Sequence, residues 1–174
     1  MTKALKSSPF KPQILDNNAF TQLFKDQLGT MHSALSHLSL NLPSLADQAS
    51  FKDLRLAVEE CLEDTNRQIV RIEQIAAVFN INISDENCLG MKSIVEETYV
   101  AISGTETQSL ACDMALIFYL HIIKHIEIAA YRTLLLAAAK LGYDKAKMLL
   151  TENMDEAKDN DKLFLLISKQ YLLN

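Results

Sequence analysis

Apolar residues recur along most of the chain at alternating intervals of four and three, the spacing of helices that pack one stripe into a bundle. Phe24, Leu28, Met31, Leu35, Leu38 and Leu42 follow this rule and predict a first helix from about Asn17 to Asn41. Pro43 is expected to end it, because the residue before proline resists helix and proline has no amide hydrogen. A second seam, Phe51, Leu54, Val58, Cys61, Thr65, Gln68, Ile72, Ile75 and Phe79, predicts a helix from about Ser50 to Phe79. The polar stretch from Asn80 to Glu86 reads as a loop, with Ser84 or Asp85 placed to cap a shorter helix from Cys88 to Ile102. Gly104 stops that helix, and residues 105–109 (TETQS) form the next turn. The fourth segment, about Ser109 to Leu141, is apolar nearly all round: MALIFYL, then HIIKHIEIAAY, then LLLAAA. A helix without a polar face implies central placement or a subunit contact. Gly142 is the expected stop, and Asp144 the expected cap of a fifth helix that runs to about Tyr171.

Short links make the first two helices antiparallel, and likewise the last two. The stretch 80–108 is long enough to cross the bundle lengthwise. Two antiparallel hairpins joined by a crossover with a short extra helix make an all-α, ferritin-like four-helix bundle. Residues 1–15 are expected to be a flexible N-terminal arm and 16–174 the bundle domain.

Composition narrows the functional classes. Four glycines and three prolines disfavour a turn-rich β fold. A net charge of −5 gives no basic footprint, so no nucleic-acid partner is expected. The cysteines Cys61, Cys88 and Cys112 are odd in number, widely spaced and form no CxxC pair, which signals neither a disulfide framework nor a zinc knuckle. They point to a reducing, cytoplasmic setting. The arm carries no signal-peptide core, and no apolar run reaches the roughly 20 residues that cross a bilayer, so no membrane association is expected.

The informative feature is a set of polar residues at mid-helix, on or beside the seams. These are Cys61, Asp64 and Gln68 on the second helix, His121, Lys124, His125 and Glu127 on the fourth, and Asn153, Glu156 and Asn160 on the fifth. Buried polar groups require partners. Glu127, Gln68 and Asn160 are expected to flank the seam and face water. Lys124, among Ile122, Ile123, Ile126 and Ile128, either snorkels outward or meets a carboxylate. His121 and His125 stand four apart, a spacing that suits a zinc grip. Local spacing fixes no third ligand and the segment reads HIIKH, not HExxH, so packing is the expected role. Neither a glycine-rich phosphate loop nor a GxSxG elbow is present. Cys61 lies on a seam, where a buried thiol is inert.

Four stretches carry a family resemblance: LFKDQL at 23–28, LEDTNRQIVRIEQIAAVFNI at 62–81, CLGM at 88–91 and HIEIAAYRTLLLAAAKLGYDKAKMLL at 125–150. On these the chain resembles the bacterial ferritin-like stress proteins of the YciE/YciF type, a family without an established biochemical activity. The resemblance also implies what is missing. It places Leu35 where the family pattern has a glutamate, Cys61 for a histidine, Asp64 for a glutamate and Lys124 for the glutamate before the shared His125; paired glutamates on the fifth helix become Glu156 and Ala157. A paired-metal site in a bundle core needs about six inward anionic or imidazole ligands. Leu35 and Ala157 remove ligands, and Lys124 brings a positive charge to the metal position. The expectation is a structural polar pair of Lys124 with Asp64, Glu156 being the next candidate acid, and no metal ligands; Asp64, His121, His125 and Glu156 are the residual candidates if metal binding survives.

The resulting expectation is a non-catalytic, stress-associated bundle protein with a degenerate paired-metal site, without cofactor, homodimeric and cytoplasmic. Two rivals stand beside it. One is a metal-dependent (iron, manganese or zinc) oxidase or peroxide scavenger built on the residual ligands. The other is a binding module that uses the outer apolar surface of the fourth helix to hold another protein.

Overall fold

A computed structural model describes residues 16–83, 88–106 and 109–173. The expected arm and the cap candidates Ser84 and Asp85 lie outside the described residues. Five helices account for the fold: α1 (Asn17–Gln48), α2 (Lys52–Phe79), α3 (Leu89–Ser103), α4 (Leu110–Leu141) and α5 (Asp144–Leu173). Among the described residues there is no strand.

Most boundaries follow local chemistry. Asp16 caps α1, its carboxylate accepting from the Ala19 amide at 2.7 Å, and Ser109 caps α4 through the Cys112 amide at 3.1 Å. α2 and α4 end on left-handed residues, Asn80 (φ 50°) and Gly142 (φ 71°). Two expectations are corrected. Asp144 is the first residue of α5, not its cap. Pro43 does not end α1, which continues to Gln48. Pro43 is solvent-exposed, and the turns after it bury Leu45, Ala46 and Ala49 against the core. That burial outweighs the roughly 3 kcal/mol that proline costs a helix interior.

Contacts at the two ends fix the topology. At one end, Phe51 stacks on Tyr171 with ring centroids 3.6 Å apart, and Asp113 near the start of α4 meets Ser50 and Phe51. At the other, Phe24, Phe79 and Tyr143 form an aromatic cluster, with centroids 4.0 to 6.4 Å apart. The end of α1, the starts of α2 and α4 and the end of α5 therefore lie together. α1 runs against α2 and α4, and α5 against α2 and α4. The parallel helices α2 and α4 are diagonal and meet through side chains across the core, where the Tyr131 hydroxyl donates to Gln68 Oε1 at 2.9 Å. α3 packs on α4 and α1, and the Tyr99 hydroxyl donates to the Asn41 carbonyl at 3.3 Å.

α4 corrects the expectation that no segment is long and apolar enough to cross a membrane. By length and composition it qualifies, and 44% of its most apolar stretch is buried inside the protein. The mixture arises because α1, α3 and α5 all pack on this helix.

The apolar core falls into two clusters. One gathers Leu38, Leu42, Leu54, Val58, Leu116, Leu120 and Phe164. The other gathers Phe24, Leu28, Leu35, Ile72, Tyr131, Leu150 and Ala157. The polar residues of α2, α4 and α5 lie between them.

The start of α2 has no side-chain cap of its own. Asp113 of α4 supplies one: its carboxylate accepts from the Ser50 amide at 2.8 Å, from the Phe51 amide at 3.1 Å and from the Ser50 hydroxyl. Asp113 is fully buried, so losing it leaves these donors without an acceptor. Asp113→Ala is expected to lower unfolding free energy by about 1–3 kcal/mol. Asp144→Ala, at a highly exposed site, should stay within about 0.5 kcal/mol. Denaturant titration of both variants checks the contrast.

Candidate functional site

Four layers of interaction fill the middle of the bundle. The innermost is an ion pair within α4. Lys124 Nζ donates to both carboxylate oxygens of Glu127, at 2.8 and 2.9 Å, and both side chains have 0% exposure. The spacing of three places them on one face of the helix.

This corrects the expected pairing. Lys124 is not partnered by Asp64 or Glu156. The Asp64 carboxylate instead accepts from Arg67 on its own helix and from Asn160 Nδ2 at 2.7 Å. Glu156 takes Arg71 through two bonds of 2.8 and 2.9 Å, and Arg67 at 3.4 Å. The reason is competition: α2 carries its own cations on the face turned to α5, and a carboxylate one turn away along α4 satisfies the lysine without crossing the core.

The second layer is that α2–α5 ladder. Arg71 also reaches Glu152 at 3.0 Å and Asn153 Oδ1 at 3.1 Å. Glu156, ahead of the other neighbouring groups, holds the Arg71 guanidinium above its ordinary pKa. The third layer is neutral. Tyr131 donates to Gln68, whose backbone carbonyl accepts from Asn153 Nδ2 at 3.2 Å. The Gln68 side-chain nitrogen is buried without a partner. Burial pushes the Tyr131 hydroxyl well above its usual pKa, so it stays a donor. The fourth lies at the α4–α5 surface, where Asp161 meets His121 Nδ1 at 2.6 Å and His125 Nε2 at 3.6 Å.

Several residues sit elsewhere than expected. Glu127, Gln68 and Asn160 were expected to face water, and all three are buried. His121 and His125 do share a face, turned to Asp161 and not to the core. Arg67, Arg71, Glu152 and Asp161 were not singled out. Their signal was present: acids at 152 and 156 and arginines at 67 and 71 each repeat at a spacing of four, which makes two complementary helix faces.

The charges at the centre are strongly perturbed. Burial alone would lower the Lys124 pKa, but the adjacent Glu127 carboxylate, through its charge and its hydrogen bonds, holds the ammonium protonated beyond the normal lysine range. Burial pushes Glu127 up; Lys124 offsets part of that, and Asp64 adds to it. Burial likewise raises the Cys61 thiol, so it is neutral and a poor nucleophile. On acidification the first proton into the pair therefore goes to Glu127.

Leu35 and Ala157 are fully buried among apolar neighbours, and an ammonium stands at the centre. Among the described residues no three His, Cys, Asp or Glu side chains are grouped to hold an ion.

Antiparallel neighbouring helices, diagonal parallel ones, a lengthwise crossover and a polar layer across the core define a ferritin-like helical protein. The chain belongs to the family described as Domain of unknown function (DUF892), which matches residues 19–171. It is 36% identical to protein YciF of Escherichia coli K12 over 140 residues, covering 80% of this chain and 84% of that protein. The crystal structure of the E. coli stress protein YciF superposes with a TM-score of 0.81 at 34% identity, covering 88% of this chain and 98% of the other. YcfI from Rhodopseudomonas palustris gives a TM-score of 0.80 at 25% identity, covering 90% and 97%.

Two outcomes are expected at the centre. Lys124→Ala should destabilise by roughly 3–5 kcal/mol, because Glu127 is left charged and buried. The double variant Lys124→Met/Glu127→Leu should recover most of that loss, since removing both charges of a buried pair is often neutral or stabilising. Thermal and denaturant unfolding of the single and double variants measure it. The second concerns pH. Glu127 holds its proton more tightly folded than unfolded, so its contribution to stability is largest in acid and falls as pH rises above about 4.5 toward the raised folded value. Glu127→Gln leaves Lys124 buried without an anion and should destabilise throughout, by less relative to wild type at pH 7 than at pH 4. Unfolding free energies of the two proteins across that range read the slope.

Proposed function

We propose that this chain is a non-catalytic, stress-associated ferritin-like bundle protein whose paired-metal centre has been replaced by an internal polar network. It acts through self-association or protein contacts, in the cytoplasm. The observation that carries the reading is the fully buried Lys124–Glu127 pair, an internal cation in the middle of the bundle. A fixed ammonium repels divalent ions and neutralises the nearest carboxylate, so it removes both the space and the charge that iron or manganese would use. Support comes also from the buried, neutral Cys61 and from Leu35 and Ala157, none of which offers a hard anionic ligand. The stress association rests on similarity to a protein named a stress protein, and the non-catalytic reading agrees with a second relative described provisionally as a structural protein.

Metal analysis of protein made in iron-, manganese- and zinc-supplemented medium tests the reading. Substoichiometric metal in all three is the expected result. One or more equivalents per chain, lost on substitution of Asp64, His121, His125 or Glu156, would overturn it in favour of a metal-dependent oxidase. A converse variant, Leu35→Glu, Cys61→His, Lys124→Glu and Ala157→Glu, should acquire metal affinity. Added metal should then stabilise it by about 2.7 kcal/mol at one hundred times the dissociation constant, an effect absent from the wild type.

A further inference from the structure

One cavity lies apart from the mid-bundle layers, where the first turn of α3 meets α1 and α4. Its volume is about 190 Å³, and three of its lining residues carry sulfur: Met31 from α1, and Cys88 and Met91 from the start of α3. All three are buried, with exposures of 4%, 3% and 4%. Cys88 is the N-cap of α3 and Met91 stands three residues on, the two positions whose side chains approach each other at a helix start. The Cys88 thiol does not act as a cap. Among the described residues it makes neither a hydrogen bond nor a disulfide. A buried, unpartnered sulfur thus lines the cavity beside two thioethers.

The rest of the wall decides which ion fits. Ile126 and Ala130 of α4 are apolar, and no acid or histidine lines the cavity. The Thr30 hydroxyl already donates to the Asp26 carbonyl at 2.9 Å. Calcium and magnesium need several oxygen ligands, and zinc a full tetrahedral set, which this wall does not supply. A thiolate with thioethers suits Cu(I). The charges agree. One thiolate and a monovalent ion are neutral together, whereas a divalent ion would leave a positive charge against apolar groups. The positive end of the α3 dipole lies at Cys88 and favours an anionic sulfur bound there. Leu89 and Gly90 are exposed, and a Cβ at Gly90 would meet nothing within 4 Å, so the space beside this turn is open to an incoming ion.

We infer that Cys88, Met91 and Met31 form a binding site for Cu(I), with Cys88 Sγ as the thiolate and the two methionine sulfurs as neutral ligands. The ion binds as the thiol proton leaves to solvent, and no electron is transferred. The site goes beyond the proposed function and does not depend on it, since that reading concerns iron, manganese and zinc at other residues.

Anaerobic titration of the purified protein with Cu(I), in competition with the chromophoric chelator bicinchoninate, is the test. The wild type should take up one equivalent, with only sulfur ligands in the copper X-ray absorption spectrum. Cys88→Ala should weaken binding about a thousandfold, and Met31→Leu and Met91→Leu, which keep the side-chain volume, about tenfold each, all with unchanged helical circular dichroism. The double variant Cys61→Ala/Cys112→Ala should bind as the wild type does. Failure of the wild type to take Cu(I) from the chelator would overturn the site. So would binding that survives Cys88→Ala, that needs Cys61 or Cys112, or that is unchanged in both methionine variants.

Discussion

A positive charge in the middle of a helical bundle must be neutralised within hydrogen-bonding distance, and much of this structure follows from how Lys124 meets that demand. Two unit charges about 3 Å apart at an effective dielectric of 20 attract by about 5–6 kcal/mol. Desolvating the two ions costs several kcal/mol each, so the Lys124–Glu127 pair contributes little net stability. Its importance is conditional. Once Lys124 is buried, an anion must stand beside it, and Glu127 is that anion. Both partners lie on one helix, three residues apart, so the pair ties no two helices together.

Cohesion between helices therefore comes from other groups. A metal ion shared among helices would link them directly. Here the α2–α5 contact is held by Arg71 with Glu152 and Glu156 and by Asn160 with Asp64, while Tyr131 and Gln68 join α4 to α2. The ladder lies at the partly solvated edge of the bundle, where ion pairs are weak one by one, and its strength lies in the shared, bidentate geometry around Glu156. The neutral layer beneath it is deeper and includes the one unsatisfied atom among these polar groups, the Gln68 amide nitrogen. Leu35 and Ala157 have a volumetric logic as well. Leu35 and Ala157 lie in the same apolar cluster, so a large side chain and a small one fill space together.

How much of this was readable from the chain depended on whether a feature is periodic or pairwise. The four-three spacing located α1 and α2, because burial on one face is written at every turn, while stop and cap signals with the all-round apolarity of α4 placed α3, α4 and α5. It misjudged Pro43, where a local signal was overridden by the burial of Leu45, Ala46 and Ala49 farther on. The polar layer was recognised by its positions at mid-helix, but exposure was misassigned for Glu127, Gln68 and Asn160, since average tendencies do not know that a buried lysine needs an acid. Choosing Asp64 as its partner failed for a similar reason. Sequence register gives the level of a residue in the bundle, whereas the arginines of α2 decide which acid remains available. The complementary spacing of 67 and 71 against 152 and 156 was legible and would have shown that Glu156 was already engaged.

The intrahelical pair also explains how α4 can be the most apolar helix and still carry charge. With Lys124 and Glu127 answering each other, the helix asks nothing electrostatic of its neighbours at its centre, and α1, α3 and α5 can cover it with ordinary packing. Asp113 near its first turn is likewise satisfied by backbone and hydroxyl donors at the start of α2. The inner faces of α4 are thus closed accounts, polar groups included. Its outer stripe carries the large apolar side chains Phe118 and Leu136 in water. Packing within the bundle gives Phe118 and Leu136 no role, and isolated exposed apolar residues need none.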